Sequence, residues 1–246
     1  MKELSVIIAT FNASSTIQRC LSSIVRQKTP EVEILLIDGG SVDDTMSLVS
    51  SFGDAIDYVV SEKDAGIYDA WNKGIRQSTG RWLQFIGADD ILLDGAIATQ
   101  LGWIRSNDTL CVDIITGKAI MTDSEGKVIK YLSEPYRYKT FVYRMDFAHG
   151  ATLHNRRLFE EQGLFDTRFR ICGDYEFLLR KPLRSAFIDA DLLQITYGGV
   201  STTLAGRREP FYARQKHHVL PLWKNRLLYL REVIGYMIRH ACDNCV

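Results

Sequence analysis

The sequence predicts an α/β fold: a mostly parallel sheet flanked by helices, with a helical extension at the C-terminal end. Three observations carry that prediction. Short apolar, β-branched runs recur through residues 1–90, and stretches with helical spacing separate them. The links between these runs and helices are short, as βαβ units require. Polar and acidic residues collect in the links that follow the apolar runs, the edge at which parallel sheets bind ligands.

Each element has its own signal. Leu4 to Thr10 is a continuous apolar run, the pattern of a strand buried on both faces. Asn12 to Ser15 offers capping residues, Ile17, Leu21, Ile24 and Val25 follow at helical spacing, and Pro30 ends that helix. Glu33 to Ile37 is a second strand, broken by Gly39-Gly40-Ser41. Ser41 to Thr45 then places a cap and two acids where a helix N-terminus favours them. Tyr58-Val59-Val60 is a third strand. Ile67, Ala70, Trp71, Gly74 and Ile75 form a helical stripe stopped at Gly80, and Trp82 to Ile86 is a fourth strand. Beyond residue 90 the pattern is less regular. Asp113 to Met121 and Lys127 to Leu132 read as strands around a turn at Asp123 to Gly126. His149 to His154 is strand-like, Asn155 caps a helix over Arg156 to Gln162, and another helix starts near Tyr175. Pro221 to His240 carries an amphipathic helical pattern. No linker separates independent domains.

Composition narrows the function classes. The formal net charge is zero, so nothing global points to nucleic acid. The distribution is uneven: residues 206–246 hold eight Lys/Arg against three Asp/Glu, so an anionic partner would be met at that end. No stretch reaches the roughly 18 apolar residues of a membrane span. Five scattered cysteines and no secretory leader pattern predict a reducing cytoplasmic setting. Cys242 and Cys245 have metal-ligand spacing, but without a second pair they read as two free thiols.

Chemistry concentrates in the links. Asp89-Asp90 follows an apolar strand, and two adjacent carboxylates are costly to hold together unless a cation sits beyond them. A solvated turn or helix cap is the other reading. Asp38 directly follows the second strand and is either a turn residue or an acceptor for a ribose hydroxyl or base N–H. No glycine-rich dinucleotide fingerprint and no P-loop occurs.

In sequence order, Ser5 to Asn12, Ile37 to Thr45, Ser61 to Gly74 and Gly80 to Asp90 together resemble the family-2 glycosyltransferases. A looser likeness runs through His149-Gly150-Ala151-Thr152, Leu164-Phe165-Asp166, Cys172 to Glu176 and Gly198 to Thr202. That pattern is similar to the branch that builds bacterial capsule, O-antigen and colanic-acid-type polymers. The resemblance implies a Rossmann-like GT-A fold over residues 1–205, with a nucleotide-binding half at 1–90, an acceptor-binding half at 91–205, and the basic helical extension at 206–246.

It also implies roles. Thr10, Asn12, Asp38 and Asp64 would hold the nucleoside, and Asp89 would lie near the ribose. Asp90 would bind Mg²⁺ or Mn²⁺ bridging the donor diphosphate. The family's Asp-x-Asp begins here with Ala88, which leaves Asp90 as the firmer ligand. Asp174 matches the general base of an inverting reaction, although Gly173-Asp174 before an apolar helix is also an ordinary N-cap; Glu176 is the reserve. His149, Glu176 and Ser201 are candidates for acceptor or diphosphate contact, set against a structural histidine and a plain turn. The donor expected first is a UDP-sugar, the acceptor a glycan or lipid-linked precursor. The C-terminal helix would meet an anionic membrane from the cytoplasmic side, its own catalytic domain, or a second subunit in a homodimer. A nucleotidyltransferase and a non-catalytic nucleotide-sugar or glycan-binding protein are the alternatives. The first lacks its Gly-rich basic loop after the first strand; the second would not need Asp90 and Asp174.

Overall fold

The structure, a computed structural model, describes residues 2–243, with side chains described through Ile238. The first half alternates as the sequence predicts: β1 (Leu4–Thr10), α1 (Ile17–Val25), β2 (Val32–Asp38), α2 (Thr45–Ser50), β3 (Tyr58–Ser61), α3 (Ile67–Gln77) and β4 (Trp82–Gly87). These four strands lie parallel in the order β3-β2-β1-β4. The register brings Thr10 level with Asp38, Asp38 level with Ser61, and Ala9 level with Gly87. Every polar link therefore leaves the sheet at the same edge.

The second half adds β5 (Ile91–Leu92), α4 (Ala96–Ser106), β6 (Ile114–Thr122), β7 (Val128–Leu132), α5 (Tyr138–Phe141), β8 (Thr152–Asn155), α6 (Arg157–Gln162), α7 (Gly173–Leu179), β9 (Ser185–Thr196), α8 (Leu204–Lys216) and α9 (Leu222–Asp243). Pairing here is mixed. β8 runs antiparallel to β4 and β6, β7 antiparallel to β6, β5 antiparallel to β9, and β9 parallel to β6. The whole is one nine-stranded sheet, parallel in its first four strands and mixed beyond.

Alternation along β1 sorts the core into two layers. Val6 and Ile8 face Ile17, Leu21 and Ile24 of α1, while Ile7 and Ala9 face Trp71 and Ile75 of α3. α3 approaches closely because residue 74 is glycine: a Cβ there would collide with Ile7. The second layer is strongly aromatic, with Phe85, Phe159, Phe165 and Phe177 packed ring against ring.

Several local expectations change. Asn12 to Ser15 do not cap α1, whose N-cap is Thr16 without a side-chain bond. His149 to Ala151 form a 3₁₀ turn, so the strand begins only at Thr152. Asn155 does act at the next helix, accepting from the Arg157 N–H at 3.2 Å. Elements β5, α4, α5, α8 and β9 have no counterpart in the sequence pattern. The last is a long strand whose exposed Ser185 and Asp189 interrupt its apolar run and whose pairing with β6 is broken by register shifts around Lys118. Helix α8 runs straight through residues 205 and 206 and buries Ala213 in the second core layer. Cys20, Cys111 and Cys172 are free thiols; Cys245 and the side chain of Cys242 lie outside the described residues.

Candidate active site

Two loops at the common sheet edge are stitched together. Backbone N–H groups of Asn12, Ala13 and Ser14, after β1, donate to Ser41 Oγ, Thr45 Oγ1 and Asp43 Oδ2, after β2, at 2.7, 2.8 and 3.1 Å. Asn12 answers by accepting from the Val42 N–H at 2.9 Å, in a left-handed conformation (φ 47°) that Asn tolerates better than most residues. Asp43, one of the two acids read as helix charges, thus fastens the loop across from it. Asp43 is held down to about 2, chiefly by its bond from the Thr45 hydroxyl.

A cavity of about 430 Å³ opens beside these loops, lined by Thr10, Phe11, Asn12, Asp64, Ile67 and Asp89 among others. Thr10 Oγ1 is buried there without a partner among the described residues. Asp64 accepts from the Gly66 N–H at 2.8 Å, and its carboxylate lies where a Cβ on Gly39 would stand, 2.9 Å from Oδ2. A side chain at 39 would push this carboxylate aside. Asp38 is not part of the cavity. Its side chain is buried, takes Gly40 N–H, Ser41 N–H and the Ser41 and Ser61 hydroxyls at 2.5–3.0 Å, and so organises the Gly39–Ser41 turn. The expected nucleoside contact by Asp38 thus falls on a carboxylate that already holds this turn through four donors, three of them on Oδ2.

Asp89 and Asp90 diverge. Asp89 is exposed at the cavity wall, whereas Asp90 folds back to accept from the Gly87 N–H at 3.0 Å. A Cβ on Gly150 would stand 3.4 Å from Asp90 Oδ2. Burial, and then the neighbouring Asp89, push the Asp90 carboxyl up to about 7, against the opposing Gly87 bond. A carboxylate held at such a cost beside a second one suits a hard divalent cation. Among the described residues no group of three His, Cys, Asp or Glu is placed to hold a metal, so phosphate oxygens and water would complete the shell.

Asp174, in the first turn of α7, sits in a second cavity of about 240 Å³ together with Ser201. The Tyr68 hydroxyl donates to Asp174 Oδ1 at 2.8 Å and lies 2.8 Å from the Ile171 carbonyl. Burial pushes Asp174 above the usual carboxylate range, and the Tyr68 bond offsets part of that. Tyr68 also joins the two cavities: Gly66 and Ile67, just before it on α3, line the first. The sequence reading passed over Tyr68, which lies off the apolar stripe, and its position one residue from a cavity wall shows only in three dimensions.

Two expected contact residues do other work. His149 is buried between Trp71 and Phe85, with ring centroids 5.1 and 5.6 Å away, and burial pushes it down to about 3. It is a neutral ring packed in the core, with neither ring nitrogen partnered among the described residues. Glu176 is fully buried and paired with Arg180, Lys216 and His217 at 2.7, 2.5 and 2.6 Å, which ties α7 to the end of α8. It lines neither cavity, so it serves neither as a reserve base nor as a contact. Burial raises its carboxyl, but the Arg180 and Lys216 partners outweigh this and hold it low. Glu176→Gln should therefore destabilise the protein by about 1–3 kcal/mol in urea melts, since the partly buried Arg180, Lys216 and His217 lose a charged partner for which an amide is a weaker acceptor. The sign with pH follows from the lowered value. The carboxyl's contribution is complete above the ordinary 4.5 and is lost as pH falls through the lower folded value.

The model described as "Glycosyl transferase family 2" matches residues 5–170. A "PGL/p-HBAD biosynthesis glycosyltransferase" of Mycobacterium bovis is 28% identical over 212 residues, 82% of this chain and 80% of its own. An uncharacterized glycosyltransferase of Rickettsia prowazekii is 26% identical over 198 residues, 77% of this chain and 62% of its own. Among solved structures, S. aureus TarS residues 1–349 in complex with UDP-GlcNAc superpose with a TM-score of 0.71 at 16% identity, covering 94% of this chain and 71% of that one. A longer TarS chain is spanned over 43% of its length. The mannosyltransferase PcManGT of Pyrobaculum calidifontis, in complex with GDP-Man and Mn²⁺, gives 0.66 at 16% identity, covering 98% and 75%. At these identities the structures speak for the fold.

Proposed function

We propose, from the premise that this chain belongs to glycosyl transferase family 2, that it moves one sugar from a nucleoside-diphosphate sugar to an acceptor hydroxyl with inversion. The observation that carries the reading is the bridge made by α3. Its first residues wall the cavity of Thr10, Asp64 and Asp89, and its Tyr68 holds Asp174 one step away. The nucleoside occupies the first cavity, with Asp64 and Thr10 as hydrogen-bond partners and Phe11 and Ile67 as apolar walls. Asp90, with Asp89 beside it, would hold Mg²⁺ or Mn²⁺, which when bound stabilises the charge developing on the leaving diphosphate. The acceptor oxygen bonds to the anomeric carbon opposite the leaving group, the bond to the diphosphate oxygen breaks, and Asp174 takes the acceptor proton. A UDP-sugar is the first donor to try, and a glycan or lipid-linked surface-polysaccharide precursor the first acceptor class.

The test is a panel of UDP-, GDP- and dTDP-sugars incubated with Mn²⁺, Mg²⁺ or EDTA. Cation-dependent release of one nucleoside diphosphate is expected. Absence of both binding and turnover with every donor would remove the transferase reading; tight binding without turnover, even with acceptor extracts, would turn it toward a non-catalytic binding protein.

The exposed face of helix α9 supports a location at a membrane surface. Its Asn225 is buried against the body, where it accepts from Arg214 Nε at 2.7 Å. The opposite face leaves Trp223, Leu227, Leu230, Ile234 and Met237 exposed by 47–61%, and Lys224, Arg226 and Arg231 flank them. A contiguous apolar face rimmed by bases suits the surface of an anionic bilayer. Among the described residues no helix is long and apolar enough to cross a membrane, so the association would be peripheral, from the cytoplasmic side. Sedimentation with phosphatidylglycerol vesicles should carry the protein down at low salt, and the double change Leu227→Glu and Ile234→Glu should leave it in the supernatant. Equal sedimentation of both proteins would remove the membrane role from this face, and a dimer that the double change dissociates would assign the face to a second subunit.

A further inference from the structure

The cavity holding Asp174 contains a cation that the family reading does not use. Arg214 of α8 is 1% exposed, so its guanidinium is taken almost wholly out of water. Its Nε donates to Asn225 Oδ1 at 2.7 Å, and Nη1 lies 3.4 Å from the Tyr175 hydroxyl, 3.5 Å from the Tyr143 carbonyl and 3.9 Å from Glu232 Oε1. Its Nη2 is buried without a partner among the described residues. Arg207, one helical segment earlier on α8, lines the same cavity and has its own buried Nε unpartnered. A buried, unpaired N–H of a charged group is costly to keep, so its retention points to a partner that arrives from outside.

The surroundings define that partner. Arg144, Arg207 and Glu232 line both this cavity and a larger groove of about 890 Å³ between α9 and β7, to which Lys130 and Arg231 add charge. The acids facing this space are Asp146, already paired with Arg144 at 2.7 Å, then Glu232 and Asp174 itself. Five bases against three acids leave it electropositive. None of its lining residues lines the cavity of Thr10 and Asp89. The groove therefore leads to Asp174 by a route separate from the donor's, which is the route an acceptor must take.

We propose that Arg214 and Arg207 form a receptor for an anionic group, a phosphate or carboxylate, carried by the acceptor near the hydroxyl that Asp174 deprotonates. The inference rests on the transferase reading and deepens it: neutral glycans would be poor acceptors, and glycans or lipids bearing phosphate or a uronate-type carboxylate good ones. Guanidinium forks suit either anion through paired charge-assisted bonds.

Inorganic phosphate is the probe. Calorimetric titration of the full chain in EDTA keeps any cation site silent, and parallel titrations with UDP and Mn²⁺ report on the donor cavity. Phosphate should bind, and Arg207→Gln should weaken it by about 10- to 100-fold, the worth of one charge-assisted bond, while UDP affinity stays within twofold. Arg214→Lys, which keeps the buried charge but not the fork, should weaken phosphate as well, with a circular-dichroism melt confirming that it folds. Phosphate binding unchanged in Arg207→Gln would overturn the proposal. So would a matching loss of UDP affinity, which would give these arginines to the donor diphosphate. If none of UDP, GDP and dTDP binds the wild type, the transferase reading falls, and that result is separate from either outcome with phosphate.

Discussion

Asp174→Asn should lower sugar transfer by about 10²- to 10⁴-fold while leaving nucleoside-diphosphate binding intact, because it removes a proton acceptor without touching the donor cavity. The amide keeps the size of the side chain and can still accept the Tyr68 bond now made at 2.8 Å. A pH profile separates a base from a structural acid. Burial raises the Asp174 carboxyl, and activity needs the ionised form. The rate should therefore fall as pH drops through a value above the ordinary 3.8 of a carboxylate. Tyr68→Phe deletes the bond that favours the ionised form, so its acid limb should move to still higher pH. An acid limb at or below 3.8, or one that ignores Tyr68→Phe, would place the proton transfer elsewhere.

The second large effect is expected at Asp90. Asp90→Ala should abolish the stimulation of donor turnover by Mn²⁺ or Mg²⁺ and lower the rate by at least about 10³-fold. Lewis-acid stabilisation is worth several kcal/mol, and each 1.4 kcal/mol is about tenfold. Asp90→Asn keeps an oxygen for the Gly87 N–H, held now at 3.0 Å, and should lose the cation response without losing stability. Asp89→Asn, at an exposed position, should cost less. UDP affinity measured with Mn²⁺ and with EDTA checks all three. A wild-type cation response surviving in Asp90→Ala would remove this residue from the metal site.

What the sequence made legible, and what it hid, follow from the range of the forces involved. Leu4 to Thr10 is buried at every position, and so is Val32 to Asp38. Short, largely apolar, β-branched runs bounded by turn residues are the pattern of inner strands, so their extent was readable from the residues to within a residue or so. Strand β9 was not readable, because its mixed composition becomes a strand only through pairing with β6, a partner some 70 residues earlier. Helix α8 hid for a related reason: its low amphipathicity and internal Pro210 mask a helix that long-range contacts at Ala213 and Arg214 hold in place.

The site divides the same way. Residue type and order within residues 1–90 determined that carboxylates would gather at one sheet edge, since parallel strands with short links send every such link to that edge. Tertiary structure alone decided what each group could still do there. Asp38 and Asp64 both follow strands, yet four donors use up Asp38 while Asp64 still lines a cavity. Asp174 and Glu176 are two residues apart on one helix, yet one carboxylate opens on a cavity and the other is fixed by three basic side chains. Hydrogen-bond capacity and access to solvent belong to the neighbours a side chain acquires on folding, and those neighbours come from distant parts of the chain.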